Sequence, residues 1–297
     1  MPLPAYSVIL RTMSFLLHLL FTIANWIPVA LVYTFILGRG RTMNWGPVGM
    51  SIVAAYGIYV PLYHGASYPV ALLCGLACAL LISGFYSWLA LRLGKDDAFG
   101  VLSIAVHLAI LTIVLNWPGV TRAALGIPGI RRIPGLETQE ALTVACIVAA
   151  LLWIGAMFWI DRSRFGRQVT AYGEQDVYAA SIGIHKPRLV FAMFALLGIA
   201  VWMDNIFYAQ YLHLLHPNDY QFPAFIFLLT IVVAGRPGSL WGTIAATASL
   251  VLLRELLRYV PLPIPILGPV RLILFGLILL VAVWVQREKL FPKQRSI

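Results

Sequence analysis

Polar side chains that could do chemistry are few in this chain, and Asp204 is the most informative of them. It is the acidic residue that lies well inside an apolar run, seven residues before Tyr211, which is roughly 10 Å at 1.5 Å per helical residue. A charge at that depth in a membrane is costly, so such residues usually face a cavity or a partner. We expect Asp204, with Asn205, to line a path and to contact the polar part of a solute. The structural alternative is an interhelical hydrogen bond that only fixes packing.

Asn44 and His107 are weaker candidates for the same path. Asn44 stands beside the break Trp45-Gly46-Pro47, and His107 stands alone in an apolar segment. A lone histidine in such a segment is more often a core residue whose hydrogen bonds are satisfied. No residues have the spacing of a nucleophilic site, a metal site or a phosphate-binding loop. The sequence therefore predicts no catalytic residue, no metal site and no cofactor bound by this chain.

The composition indicates an integral membrane protein. Hydrophobic residues make up 61% of the 297 positions and charged residues 11%, far from the soluble average of roughly half and a quarter. The net charge of +10 suits lipid headgroups rather than nucleic acid, because the basic residues stand at the ends of apolar runs. The three cysteines lie within apolar segments and are expected in the core. We predict one all-α, polytopic domain over residues 1–297, without a separate soluble domain.

The apolar runs predict about nine membrane spans. Two of the nine are short for a bilayer core that needs about 20 helical residues, and both adjoin Gly and Pro. Short or broken helices are tolerated where they are buried in protein or line a cavity, so both mark a pathway. The predicted spans are 14–37, 47–63, 69–91, 99–117, 141–160, 189–211, 222–235, 239–258 and 268–286, of which 47–63 and 222–235 are the short ones.

The basic residues predict the orientation. If the tail after Val285 is cytoplasmic, nine spans place 14 of the 21 Lys and Arg residues on that side, as the positive-inside rule expects. Residues 161–188 then form the largest cytoplasmic loop. The loop 119–140 faces outside, and its length favours contact with an extracytoplasmic binding protein.

The loop 161–188 contains a predicted helix of about two and a half turns. Acidic residues favour a helix start, and Gly183 suits a left-handed C-terminal cap. Its polar residues are acidic rather than basic, which favours docking to a protein over resting on lipid. The predicted docking residues are Glu174, Gln175, Asp176, Val177, Tyr178, Ser181, Ile182, Gly183 and Ile184.

Four ordered motifs resemble the permease subunits of branched-chain amino acid ABC importers, the LivM type. The loop DRSRFGRQVTAYGEQDVYAASIGIHKPRL is similar to the family's coupling loop, S-x-x-G-R-A-x-x-A-x-R-E-D-E-x-A-A-x-x-x-G-I. The other three are ILGRGRTMNWGPVGMSIVAAYGIY, LRLGKDDAFGVLSIAVHLAILTIVLN and IVVAGRPGSLWGTIAATASLVLLRELLR. With the last span and basic tail, the resemblance covers about residues 30–292.

The resemblance implies partners and a cytoplasmic coupling helix. It implies a multi-pass protein of the bacterial inner membrane, a homologous second permease, two ATP-binding subunits that hold ATP and Mg²⁺, and a solute-binding protein outside. The solute would be a branched-chain amino acid, urea, an amide or a similar molecule. The chain departs from the family at Gly173 and Gln175, where the family has charges, and near Leu108 and Leu111.

Two other classes remain open at this point. A secondary transporter or channel would need no ATPase, and an accessory membrane subunit would assemble with the ATPases without transporting. The charges that the family has near Leu108 and Leu111 are absent, which keeps the second alternative open.

Overall fold

The computed structural model describes residues 5–94, 97–259 and 264–290, and this part of the chain is predominantly helical. Seven of its helices are long and apolar enough to cross a membrane, and two shorter apolar helices, Pro47–Tyr63 and Phe222–Ala234, accompany them. The prediction of an all-α polytopic membrane protein, with spans at these places and with these two short, is therefore confirmed. The basic residues Lys95, Lys293 and Arg295, which entered the orientation argument, lie outside the described residues.

The helices are numbered in chain order. They are α1 (Ala5–Gly38), α2 (Pro47–Tyr63), α3 (Tyr68–Leu93), α4 (Asp97–Leu115), α5 (Pro118–Thr121), α6 (Gln139–Arg162), α7 (Arg164–Glu174), α8 (Asp176–Ser181), α9 (Lys186–Leu212), α10 (Phe222–Ala234), α11 (Leu240–Leu256) and α12 (Ile264–Leu290).

Local sequence explains where several helices begin. Pro47 opens α2, where its fixed φ and missing N–H cost nothing. Thr138 caps α6 by accepting a hydrogen bond from the Ala141 N–H at 3.1 Å, and Ser239 caps α11 by accepting one from the Gly242 N–H at 3.1 Å. Such caps satisfy N–H groups that have no partner within the helix.

The centre of the bundle is formed by α1, α2 and α9. More than half of the most apolar window of α1 and of α9 is buried, against 6% for α12. Helix α1 contacts α6, α9, α10 and α11, whereas α2 contacts α3, α4 and α9. Helix α12 lies at the edge against α10, so most of its apolar surface is left for lipid or a neighbouring subunit.

One end of the bundle carries a small sheet that the sequence did not predict. Strand β1 (Ile127–Pro128) pairs antiparallel with β2 (Leu214–Leu215), with Ile127 opposite Leu215. The His213 ring extends the pairing because its Nδ1 lies 2.8 Å from the Ile130 carbonyl oxygen. The pairing ties the loop 119–140 to the segment that follows α9.

Candidate translocation site and coupling surface

Both short helices begin inside the bundle. The Trp45 N–H donates to Ser103 Oγ of α4 at 2.8 Å, and the Tyr220 carbonyl oxygen lies 2.8 Å from Nε2 of His107. His107 is the eleventh of the 19 residues of α4, so Tyr220 lies near the middle of that span. The segment before α2 is thus largely buried, whereas in the segment before α10 Pro217 and Tyr220 are buried and Asn218 and Asp219 are exposed. Irregular backbone at membrane depth is tolerated where it is buried in protein or lines a cavity.

A cavity lies where these two helix starts meet α1 and α9. It offers about 60 Å³ to the centres of water-sized molecules, and one water needs about 10–15 Å³ by that measure. A few waters or the polar end of a small solute therefore fit. Its lining residues are Asn25, Trp26, Val29, Pro47, Val48, Ser51, Asp204, Tyr208, Asp219, Tyr220, Ala224 and Leu228.

Asp204 lines this cavity. Its Oδ1 accepts a hydrogen bond from Asn25 Nδ2 at 2.5 Å, across from α9 to α1. The interhelical hydrogen bond considered as an alternative is thus present together with the cavity position. A single carboxylate can serve both, because its two oxygens offer about four acceptor sites.

Asn205 is fully buried and lies behind the wall rather than among the lining residues. Its Nδ2 donates to Ser51 Oγ at 2.7 Å, and its Oδ1 accepts from the Tyr220 hydroxyl at 2.5 Å. Asn205 thereby holds two lining residues, one from α2 and one from the turn before α10. Direct contact between Asn205 and a solute stays a prediction.

Asn44 and His107 are also fully buried and are not among the lining residues. Asn44 Oδ1 accepts from the Gly46 N–H at 2.9 Å, which shapes the entry to α2. Because a carbonyl oxygen only accepts, the contact with the Tyr220 carbonyl places a proton on His107 Nε2. Both residues position the broken helices, and a role in the path stays a prediction.

Asp219 is the lining residue that the sequence reasoning missed most clearly. It belongs to a short 3₁₀ turn, Pro217–Tyr220, in the segment between the predicted spans 189–211 and 222–235, which the predicted orientation places outside. The tertiary fold turns this segment inward to the middle of α4. The signal available in the sequence was the polar run His216 to Gln221 directly before a helix too short to span.

The predicted coupling helix is two helices rather than one. Glu174 ends α7 and Asp176 begins α8, with Gln175 extended between them. The expectation that both acidic residues open one helix was therefore wrong. The break changes direction within the loop 161–188, so α7 packs on the bundle while α8 projects from it.

Helix α8 ends as predicted. Gly183 has a φ of +85°, and the Ile184 N–H donates to the Ala179 carbonyl while the Gly183 N–H donates to that of Ala180. This is the Schellman arrangement, in which glycine takes the left-handed position.

The apolar surface of α8 is exposed. Val177, Tyr178 and Ile182 are 76%, 68% and 72% exposed, whereas Ile184 turns toward the core. Glu174, Gln175, Ser181 and Gly183 are also exposed. Asp176 forms an ion pair with Lys186 Nζ at 2.9 Å, so part of its charge is neutralised within the chain.

Helix α7 is fastened to the linker that leads to α2. Arg39 forms an ion pair with Asp161 at 3.2 Å, and a side chain on Gly173 would place its Cβ only 1.9 Å from the Arg39 carbonyl oxygen. Tyr172 is buried and hydrogen-bonds Thr42, and burial, reinforced by Asp176, raises its pKa to about 12. The glycine that replaces the family's arginine at 173 is thus required by close backbone contact.

Comparison with known proteins identifies the family. The model of the branched-chain amino acid transport system permease component matches residues 15–283. The chain belongs to this family. The sequence motifs implied the same family, the permease components of branched-chain amino acid transport systems.

Two curated relatives are similar to this permease. The high-affinity branched-chain amino acid transport system permease protein LivM of Salmonella typhimurium is 25% identical over 263 residues, and that of Escherichia coli is 25% identical over 266. Each match covers 75% of this chain and 61% of the relative, so the permease spans about three fifths of these relatives' length. No solved structure matches it significantly.

Proposed function

We propose that this permease is the membrane-spanning subunit of an ATP-driven importer that moves a small polar solute across the bacterial inner membrane. The observation that carries the proposal is the link between an exposed helix and a buried cavity. Helix α8 offers an unpartnered apolar surface, α7 holds the 39–46 linker, and that linker leads directly into the cavity-lining start of α2. A displacement of α7 and α8 would therefore move the start of α2, which lines the cavity where the solute would bind.

The proposed partners follow from the two ends of the molecule. At the end that carries α7 and α8, taken as cytoplasmic with the C-terminus, two ATP-binding subunits with ATP and Mg²⁺ would seat the coupling helices. A homologous second permease would complete the pore. At the other end, the loop 119–140 and its strand pairing offer a surface for an extracytoplasmic solute-binding protein.

Transport requires no covalent chemistry in this mechanism. The cavity lies where two helices start within the membrane, so a small rotation of α2 or α10 changes its access. Nucleotide binding would favour one of two packings of the bundle, and the solute would leave toward the side that is then open. The solute would be a branched-chain amino acid, urea, an amide or a similar molecule.

A charge reversal on the coupling surface tests the proposal. We expect Glu174→Lys to abolish ATP-dependent uptake in proteoliposomes that contain the permease and its ATPases, and a compensating acidic residue in the ATPase groove to restore it. Asp97→Lys is the matched control, because Asp97 is also exposed and lies outside both the loop 161–188 and the loop 119–140. Uptake that persists without any ATPase would instead show a secondary transporter or channel.

A further inference from the structure

The cavity has a chemical preference that the family assignment does not supply, and this inference rests on the proposed function. Two carboxyl groups, of Asp204 and Asp219, belong to its lining, together with the phenols of Tyr208 and Tyr220 and the amide of Asn25. Lysine and arginine are absent from the lining set. The Tyr208 hydroxyl is hydrogen-bonded to Asp219, and the Asp204 carboxyl group also acts electrostatically on this phenol.

A second observation concerns Tyr56, which lies on α2 outside the lining set and points to a missing partner near Asp219. The Tyr56 hydroxyl is buried and has no hydrogen-bond partner within the described residues. It is close enough to Asp219 to interact with that carboxylate electrostatically. A buried hydroxyl without a partner costs about 1–3 kcal/mol, which a polar solute group or water beside Asp219 would offset.

The nearest competing charges do not reverse this preference. Two of the described side chains that can carry positive charge act on this region from outside the lining set. His216 acts on Asp219. Arg254 acts on Tyr208, and its guanidinium lies 4.8 Å from the centre of the Phe227 ring and beside Glu255. The starts of α2 and α10 each offer about half a positive charge. When both carboxyl groups are ionised, they exceed the two helix termini by about one negative charge.

We propose that the nitrogen end of the solute binds between Asp204 and Asp219, so that the cavity selects ammonium or amide groups over carboxylate groups. Asp204 is half-buried and Asp219 is exposed beside the cavity, and a solute ammonium group supplies a counter-charge to both carboxylates. An amide group supplies N–H donors to the same oxygens. A solute that carries only a carboxylate meets repulsion instead.

Three probes that share one isobutyl group test this assignment. Leucine carries ammonium and carboxylate, 3-methylbutylamine carries ammonium only, and 4-methyl-2-oxopentanoate carries carboxylate only. The readout is the thermal unfolding midpoint of the purified permease in lipid nanodiscs, because a ligand that binds the folded state raises it. We expect leucine and the amine to raise the midpoint, and the oxo acid to bind at least about tenfold more weakly.

Matched variants assign the effect to the cavity. Asp204→Asn keeps the acceptor for Asn25 Nδ2 and should fold, yet it should weaken binding of the amine about tenfold, and Asp219→Asn should do the same. Asp97→Asn, at an exposed carboxylate outside the cavity, should leave binding unchanged.

Several results would overturn the assignment. These are equal binding of the oxo acid and the amine, unchanged amine binding in both aspartate variants, or no binding of any probe. The importer proposal can fail separately, since selective amine binding without ATP-dependent uptake would contradict only that proposal.

Discussion

At the scale of single residues, polar groups in this permease either line the cavity or hold the groups that do. Asp204 belongs to the first kind and Asn205 to the second, although they are neighbours in the sequence. Hydropathy predicts that a polar side chain is unusual at the membrane depth of either residue. It does not distinguish them, because adjacent helical positions point about 100° apart and only the packing of α2 and α10 decides which one meets open space.

Tyr220→Phe tests whether the hydrogen bond between Asn205 and Tyr220 stabilises the wall of the cavity. The Tyr220 hydroxyl donates at 2.5 Å to the Oδ1 of Asn205, and both residues are buried. Its removal leaves the Asn205 oxygen without that donor, so we expect a loss of about 1–3 kcal/mol in the free energy of unfolding. Chemical denaturation in detergent micelles measures it. Tyr178→Phe is the control, because this phenol is 68% exposed, and an equal loss there would contradict the assignment.

At the scale of elements, the coupling loop works through close backbone contact. The sequence predicted a helix with a glycine stop, and the stop is at Gly183. The break at Gln175 was not predictable, since it separates a helix that packs on the bundle from one that faces outward. Tertiary contact with the 39–46 linker, rather than local propensity, sets the direction of α7.

Gly173→Ala tests this contact. The added methyl would lie 1.9 Å from the Arg39 carbonyl oxygen, so α7 or the linker must move. We expect ATP-dependent uptake to fall at least about tenfold while the ATPases still co-purify, because the α8 surface is unchanged. Gly155→Ala in α6 is the matched control, since its Cβ would meet open space. Normal uptake by Gly173→Ala would show that the contact does not transmit motion.

At the scale of the whole molecule, different loops lie at the two ends of the bundle. The linker after α1, the loop 161–188 and the segment Gly235 to Ser239 lie at one end, as the Arg39–Asp161 ion pair and the Gly238 N–H bond to Thr34 show. Gln286 near the end of α12 donates to the Val233 carbonyl oxygen at the same end. Counting nine spans back from the C-terminal tail predicts that these loops lie on the same side, and these contacts agree with that prediction.

Cysteine labelling tests the orientation of the whole bundle. We expect Arg164→Cys and Arg236→Cys to be shielded from an impermeant maleimide in intact cells and labelled after lysis. Arg131→Cys and Glu137→Cys should be labelled in intact cells, because all four positions are exposed and the two pairs lie at opposite ends. The parent chain is the control, since its three cysteines lie within helices α3 and α6. Any other pattern of labelling of the two pairs in intact cells would contradict the topology.

The sequence by itself determined the membrane class, the places of the spans, the two short helices, the family and the depth of Asp204. These depend on hydropathy, glycine and proline breaks and ordered motifs, which are local properties of the chain. The tertiary structure alone decided that the polar turn at Asp219 folds inward, that Asn205 lies behind the cavity wall and holds two lining residues, and that Gly173 must lack a side chain. Each of these depends on contacts between segments far apart in sequence, and local hydropathy does not specify which segments are in contact.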